Sequence, residues 1–354
     1  MTHSGSRSCA MSGTTFSALS NAQLAIRAAI AATAAAAIAQ ALKLDYPIYA
    51  FLAAIVATDL TTQQSRQLGL RRLVATLLGA AGGGLISSVL PSSAWSAGLA
   101  ILGTVFLSRR MNVRNGAKVA GYIAAIIVLH FGPDPWGHAY DRLIETALGV
   151  TVAWLASFVP LLFRNEDVDA RLREPPPQAA RWFQLDLAPS DDDPLTLLAD
   201  AQIALRTAVA ATLAVLITQK LGLAYPIFAA IAAIITTDLA PANSRTVGVR
   251  RIAATIIGAA AGFAGSVMLG AEPWWLGIAL LTTMLACQSL GSPEGSKMAA
   301  CTCGIGMLMH GGHPLLFALH RVIETGLGVA TAWAVSHLPK LFTRGSRAHD
   351  TRDA

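Results

Sequence analysis

The sequence predicts an all-α polytopic membrane protein made of two parallel six-helix repeats, about 12 transmembrane helices in all, with both termini on the cytoplasmic side (N-in and C-in). Three observations predict it. The 354-residue chain is 54% hydrophobic but only 13% charged, with a mean hydropathy of +0.54. Soluble domains carry about a quarter charged residues, so half that fraction over such a length means that most of the surface faces lipid. The chain also repeats itself at one fixed offset, and its basic residues fall in short clusters between apolar runs, the pattern that sets orientation in a bilayer. A net charge of +6 would suit nucleic acid as well. Scattered clusters make no continuous basic face, so the lipid bilayer and not nucleic acid is the partner expected.

Taken in order, residues 1–21 form a polar N-terminal tail rich in Ser and Thr. The apolar stretch from Ala22 to Leu42 follows without a small-residue cleavage site, so a retained first helix is expected rather than a secretory signal. The first repeat, residues 22–163, holds apolar segments at about 22–42, 46–60, 71–90, 94–108, 116–132 and 142–163. Several fall short of the roughly 20 residues that a perpendicular span needs, so segments two and four must borrow flanking residues or lie where the bilayer is thin. Residues 164–200 carry Arg164, Arg171, Arg173 and Arg181, the run Pro175-Pro176-Pro177, and Asp191-Asp192-Asp193. That composition reads as a semi-flexible cytoplasmic connector with no core of its own. The second repeat covers 201–342, and residues 343–354 form a cytoplasmic tail.

The duplication is exact in register. Ala22-Gln23 recurs as Ala201-Gln202, Tyr46-Pro47-Ile48 as Tyr225-Pro226-Ile227, Thr58-Asp59-Leu60 as Thr237-Asp238-Leu239, and Trp154 as Trp333, always 179 residues later. About 60 of 142 aligned positions are identical, far beyond what shared hydrophobicity gives. An even number of helices per copy makes the copies parallel. With the N-terminus inside, Arg66, Arg71, Arg72, Arg109, Arg110, Arg114 and Lys118 fall on the cytoplasmic side, with Arg245, Arg250, Arg251 and Lys297 of the second copy. Only Lys43, Arg142, Lys220 and Arg321 remain outside. Arg66, Arg72, Arg245 and Arg251 form a duplicated cytoplasmic basic motif.

Charges within apolar segments are the candidate functional residues, because burying one in hydrocarbon costs at least about 2.5 kcal/mol unless it is paired or wet. Six are duplicated. Arg27 and Arg206 in segment one are candidate substrate-binding residues. Asp59 and Asp238, ending segment two, and Glu145 and Glu324, in segment six, are candidate proton carriers. Two bland readings stand beside these: Arg27 can pair with Asp59, and Arg142 can bridge to Glu145 along one helix face, as Arg321 can to Glu324. The glycine run Gly82 to Gly84 reads as close helix packing, with a broken helix as the alternative. His130, His138, His310, His313 and His320 read as solvated loop residues rather than metal ligands. Cys287, Cys301 and Cys303 read as small packing residues. No nucleotide-binding loop, nucleophile elbow or zinc helix motif is present, so no enzyme activity and no cofactor is expected.

An arginine early in segment one, Tyr-Pro before segment two, Ser65-x6-Arg72 leading into Ala75-Thr76-x2-Gly79-Ala80, and Arg142-x2-Glu145-Thr146-x2-Gly149 together resemble the fusaric acid resistance-like and aromatic acid exporter superfamily. The same order recurs from Arg206 through Ser244, Arg251, Thr255, Gly258, Arg321, Glu324 and Gly328. The resemblance implies a proton-motive-force-driven exporter of aromatic or other small organic acids in the bacterial inner membrane, often working with a periplasmic adaptor protein. Many members carry sizeable cytoplasmic domains after each membrane unit, where this chain has a short connector and tail. Plant anion channels have a similar membrane unit, which makes a passive organic-anion channel the first alternative. A membrane scaffold that transports nothing is the second. Oligomeric state is not legible.

Overall fold

A computed structural model describes residues 5–111, 113–130, 134–158, 194–269, 273–309 and 312–338. Most of the connector, the tail at 343–354 and His310 lie outside them. Twelve α-helices and no strand occur among the described residues. The first six are α1 (Gly5–Ala41), α2 (Pro47–Ala57), α3 (Thr62–Val89), α4 (Ala94–Arg110), α5 (Ala117–His130) and α6 (Pro135–Ala156). The second six are α7 (Pro194–Lys220), α8 (Pro226–Thr236), α9 (Pro241–Met268), α10 (Pro273–Ser289), α11 (Ser296–Met309) and α12 (Pro314–Ser336). A single turn of 3₁₀-helix precedes α5 and another precedes α11. Among the described residues, five stretches are long and apolar enough to cross a membrane: Leu19–Ala41, Thr62–Val89, Thr196–Lys220, Pro241–Met268 and Pro314–Ser336.

Local chemistry sets the helix ends. Thr61 caps α3 by accepting from the Gln64 N–H, and Asp134 caps α6 by accepting from the Gly137 N–H. Pro begins α2, α6, α8, α9 and α12, where its missing N–H is no loss. These caps move two starts well ahead of the apolar pattern: α3 begins nine residues before the apolar segment at 71, and α6 seven before that at 142. Polar residues such as Gln63, Gln64 and Gln67 are good helix formers, so the helix extends past the apolar boundary. The same effect corrects the reading of the histidines. His138 and His320 are helical, within α6 and α12, because Pro135 and Pro314 open those helices instead of breaking them. Gly82 to Gly84 lie within unbroken α3, Gly83 close against α5 and Gly84 under the Trp136 ring. The packing alternative is the one realised.

α1 and α7 end alike. The Leu44 N–H reaches back to the Ala39 carbonyl and the Lys43 N–H to Gln40, as Leu223 does to Thr218 and Gly222 to Gln219. This is the Schellman arrangement, which needs a left-handed residue: Gly222 supplies φ +67° freely, whereas Lys43 is held at φ +53°.

The two halves meet through reciprocal contacts. α1 packs on α10 as α7 packs on α4, and α2 packs on α11 as α8 packs on α5. Gly277 admits Thr33 at the first contact, and Gly98 admits Thr212 at its counterpart. Each pair is 179 residues removed from the other, so the halves are related by a pseudo-twofold. The largest buried cluster spans both halves, with Ala25, Ala28 and Phe51 packed in one core with Ala208, Ala211 and Met284. Small side chains allow that closeness, and in lipid van der Waals contact is what holds helices together.

Candidate functional site

Two half-helices organise the charges. α2 and α8 have 11 residues each, about 16 Å of helix against a hydrocarbon core of about 30 Å. Extended backbone follows each, at Thr58 and Thr237. A helix that stops partway leaves N–H groups at one end and carbonyls at the other, and the macrodipole adds partial positive and negative charge there. With little water to serve them, side chains must.

Carboxylates serve the N-terminal ends. The Tyr46 N–H donates to Glu145 Oε1 at 2.7 Å, and the Tyr225 N–H to Glu324 Oε1 at 2.9 Å. Glu145 and Glu324 come from α6 and α12 and are 1% and 0% exposed. In both, Oε2 has no partner.

Cations serve the C-terminal ends. Arg27 donates to the Leu60 carbonyl at 2.6 Å, next to Asp59. Arg206 donates to Leu239 at 3.1 Å and to Leu338 at 2.5 Å, and reaches Ser336 at 3.5 Å, so it ties the end of α8 to the end of α12. Each repeat also lends a lysine to the other. Lys297 Nζ donates to the Thr58 carbonyl at 2.6 Å and lies 3.8 Å from the Asp59 carboxylate, while Lys118 Nζ donates to the Ile235 carbonyl at 2.9 Å. The Asp59 and Asp238 N–H groups donate to Ser65 and Ser244 at 2.9 and 3.0 Å, and their carboxylates accept from the following backbone, at Leu60 and Ala240.

The intrahelical bridges do not form. Arg142 sits over the Tyr49 ring with its guanidinium carbon 3.6 Å from the centroid, and Arg321 sits over Phe228 at 3.6 Å. Nε and Nη1 of both arginines lack partners. A desolvated cation over a ring is worth about 2 kcal/mol, against a few tenths for an exposed i, i+3 ion pair, and the half-helix N–H competes for the glutamate. Sequence spacing shows the helix neighbour but not the ring from another helix.

The four-residue basic motif also separates. Arg66 and Arg245 are exposed, whereas Arg72 and Arg251 are 7% and 5% exposed. The interior face of α3 runs through Ser65, Gly69, Arg72, Ala75, Thr76 and Gly79, and α9 repeats it, so only the second arginine of each pair turns inward. Arg72 donates to the Tyr122 hydroxyl, and Arg251 lies 3.7 Å from Met298 Sδ. At the edge of the interface, Arg109 pairs with buried Asp200 at 2.7 Å, and the counterpart contact joins Gln288 to the Asn21 carbonyl at 3.1 Å.

Sequence reasoning used Lys118 and Lys297 only as orientation charges and passed over Tyr49 and Phe228. The available signal for the lysines was their duplication inside apolar segment five; for the rings it was the position three residues after the tyrosine of Tyr-Pro.

The sequence profile of aromatic acid exporter family member 1 matches residues 22–159 and again 201–338. A UPF0421 protein of Staphylococcus saprophyticus is 28% identical over 116 residues, covering 32% of this chain and 35% of the relative. The chain thus spans about a third of the length of that curated relative. No solved structure matches.

Proposed function

The chain belongs to the aromatic acid exporter family, and on that premise we propose that it exports small organic acids, aromatic acids foremost, in a proton-coupled reaction at the bacterial inner membrane. Its two units, 22–163 and 201–342, lie parallel with both termini inside, joined by a cytoplasmic connector. Rocking of one unit against the other about the reciprocal interface gives alternating access.

One observation carries the reading: each repeat buries a glutamate with one unserved oxygen, three residues along a helix from an arginine with unserved N–H groups. A charge buried at depth and only half satisfied is costly, and such groups mark ion and proton pathways. A carboxyl group in that setting takes and releases a proton. A guanidinium with spare donors is a seat for a carboxylate, bidentate and strong in a low dielectric. Placed on one helix face, the two groups influence each other electrostatically, which is what coupling requires.

Glu145 and Glu324 are the proposed proton carriers, and Arg142 and Arg321 the proposed anion seats. In this reading Arg27 and Arg206, the anion candidates of the sequence, serve as clamps on the half-helix ends, because each gives Nη1 to a main-chain carbonyl there, at Leu60 and Leu239. Asp59 and Asp238, bonded to their own backbone, hold the turn that follows each half-helix. A periplasmic adaptor remains a partner of the family resemblance alone.

Efflux of radiolabelled benzoate from proteoliposomes, with and without an imposed pH gradient, tests this. Gradient-dependent efflux that Glu145→Gln/Glu324→Gln abolishes is expected. Flux that ignores both the gradient and the substitutions would replace the exporter with a passive anion path, and no flux of any acid would leave a scaffold.

A further inference from the structure

The polar ties between the two repeats gather at one face of the protein. Lys297, at the start of α11, donates to the Thr58 carbonyl just past α2 at 2.6 Å, and Lys118, at the start of α5, donates to the Ile235 carbonyl at the end of α8 at 2.9 Å. Arg109 lies at the end of α4 and pairs with Asp200 near the start of α7, while Gln288 lies at the end of α10 and reaches Asn21, at the foot of the apolar span of α1. With successive helices alternating in direction, the starts of α1, α5, α7 and α11 and the ends of α2, α4, α8 and α10 all fall on the N-terminal face. Nearer the other face the halves meet by close packing, at Gly98 with Thr212 and at Gly277 with Thr33. Thr212 gives its hydroxyl to Ala208 in its own helix, and Thr33 Oγ1 is unpartnered.

Each half-helix joins a charge of its own repeat to a charge of the other. The N-terminal end of α2 rests on Glu145, its Tyr49 ring holds Arg142, and the carbonyl just past its C-terminal end is held by Lys297 of the second repeat. α8 does the same with Glu324, Arg321 and Lys118. A helix of 11 residues is short and unbroken, so a shift at one end is delivered at the other, about 16 Å away.

We propose that Lys118 and Lys297 are latch residues that hold the N-terminal face shut, and that α2 and α8 are struts linking each latch to the arginine-glutamate pair of the opposite repeat. This rests on the export reading and adds to it which contacts break before that face opens. A protonated glutamate holds the half-helix N–H less strongly than a carboxylate does, and the loosened half-helix draws its last carbonyls away from the lysine. Because each lysine belongs to the repeat opposite its strut, letting go separates the repeats while leaving each one intact. Two charge-assisted bonds favour the shut form by at least roughly tenfold over an uncharged side chain of the same length.

Cys301 reports the state of the latch. It lies one turn beyond Lys297 on the same face of α11, half-buried, where the charge of Arg72 reaches it across the interface. Cys287 is 0% exposed within repeat two, packed with Ala254 and Ala299, and serves as the control. The rate of N-ethylmaleimide modification is read at both thiols by peptide mass spectrometry of the full chain in lipid nanodiscs. Lys118→Met/Lys297→Met should raise the Cys301 rate at least roughly tenfold with Cys287 still protected. Glu145→Gln/Glu324→Gln should raise it several-fold. If the double lysine variant does not fold, Lys118→Met and Lys297→Met singly carry the test, each with part of the rise. An unchanged Cys301 rate in a folded lysine variant, or an equal rise at Cys287, would overturn the latch, since general loosening exposes both thiols. An unchanged rate in the glutamine variant would overturn the struts. Absence of gradient-driven flux of any organic acid through the unaltered chain would overturn the export reading, and it is measured independently of these rates.

Discussion

Replacing Glu324 in two ways separates its structural role from its proposed proton role. Its Oε1 accepts from the Tyr225 N–H at 2.9 Å, doing from α12 what a glutamate in the first turn does in a capping box. Glu324→Ala removes the acceptor and leaves that N–H buried and unserved, a loss of about 1–3 kcal/mol. Glu324→Gln keeps a carbonyl oxygen in the same place and trades Oε2, which has no partner, for a neutral amide, so its cost stays below about 1 kcal/mol. For a chain of this length a kcal/mol shifts the midpoint by roughly 2 °C. The alanine variant should therefore melt about 2–6 °C lower in detergent, while the glutamine variant stays within about 2 °C of the parent. Gradient-driven benzoate flux per folded molecule should fall in both. Equal destabilisation by both changes would refute the capping argument, and full gradient-driven flux in Glu324→Gln would refute the proton role.

Arg206→Ala strips three carbonyls of a charged donor and should cost about 3 kcal/mol in thermal unfolding, with flux per folded molecule retained. Gly328→Ala drives a Cβ into the Ala229 carbonyl and to 2.8 Å from the Ala232 Cβ, so a loss of about 1–3 kcal/mol is expected. Gly326→Ala, with nothing within 4 Å, should instead gain up to about 1 kcal/mol by helix propensity. Lys43→Gly relieves a left-handed lysine at the position its duplicate fills with Gly222 and should gain about 1 kcal/mol in the same melts. Asp200→Asn removes the partner of Arg109, which is 22% exposed, and a loss near 1 kcal/mol that shrinks with added salt is expected.

Several parts of the site were legible from spacing. Arg142 and Glu145 share a helix face in the sequence, as they do in the folded chain, and their duplication marked them as structural or functional units. Their partners were hidden. The N–H that Glu145 serves is 99 residues away, at Tyr46, and the ring that holds Arg142 comes from the same half-helix. Helix periodicity orders residues along one element and says nothing of what another element presents to it. The half-helices were visible only as segments too short to span. Burial of Arg72 beside exposed Arg66 was readable from the heptad spacing with Ser65, but charge clustering pointed the other way.

By itself the sequence determined the membrane class, the duplication and the family. Those follow from composition, register and motif order, which are properties of the chain and need no contacts. Tertiary structure alone decided which group each buried charge serves, because those partners lie on other helices. Lys297 finds the Thr58 carbonyl 239 residues away, in the other repeat. It also decided that equivalent positions of the two repeats do different work: Arg72 meets the Tyr122 hydroxyl where its duplicate Arg251 meets Met298 Sδ. Ile123 and Ile127 are ordinary apolar residues in the sequence, and Thr302 and Gly306 stand in their places in the second repeat. Which residues face one another is settled only when the helices pack, because packing is a property of facing surfaces and not of any one of them.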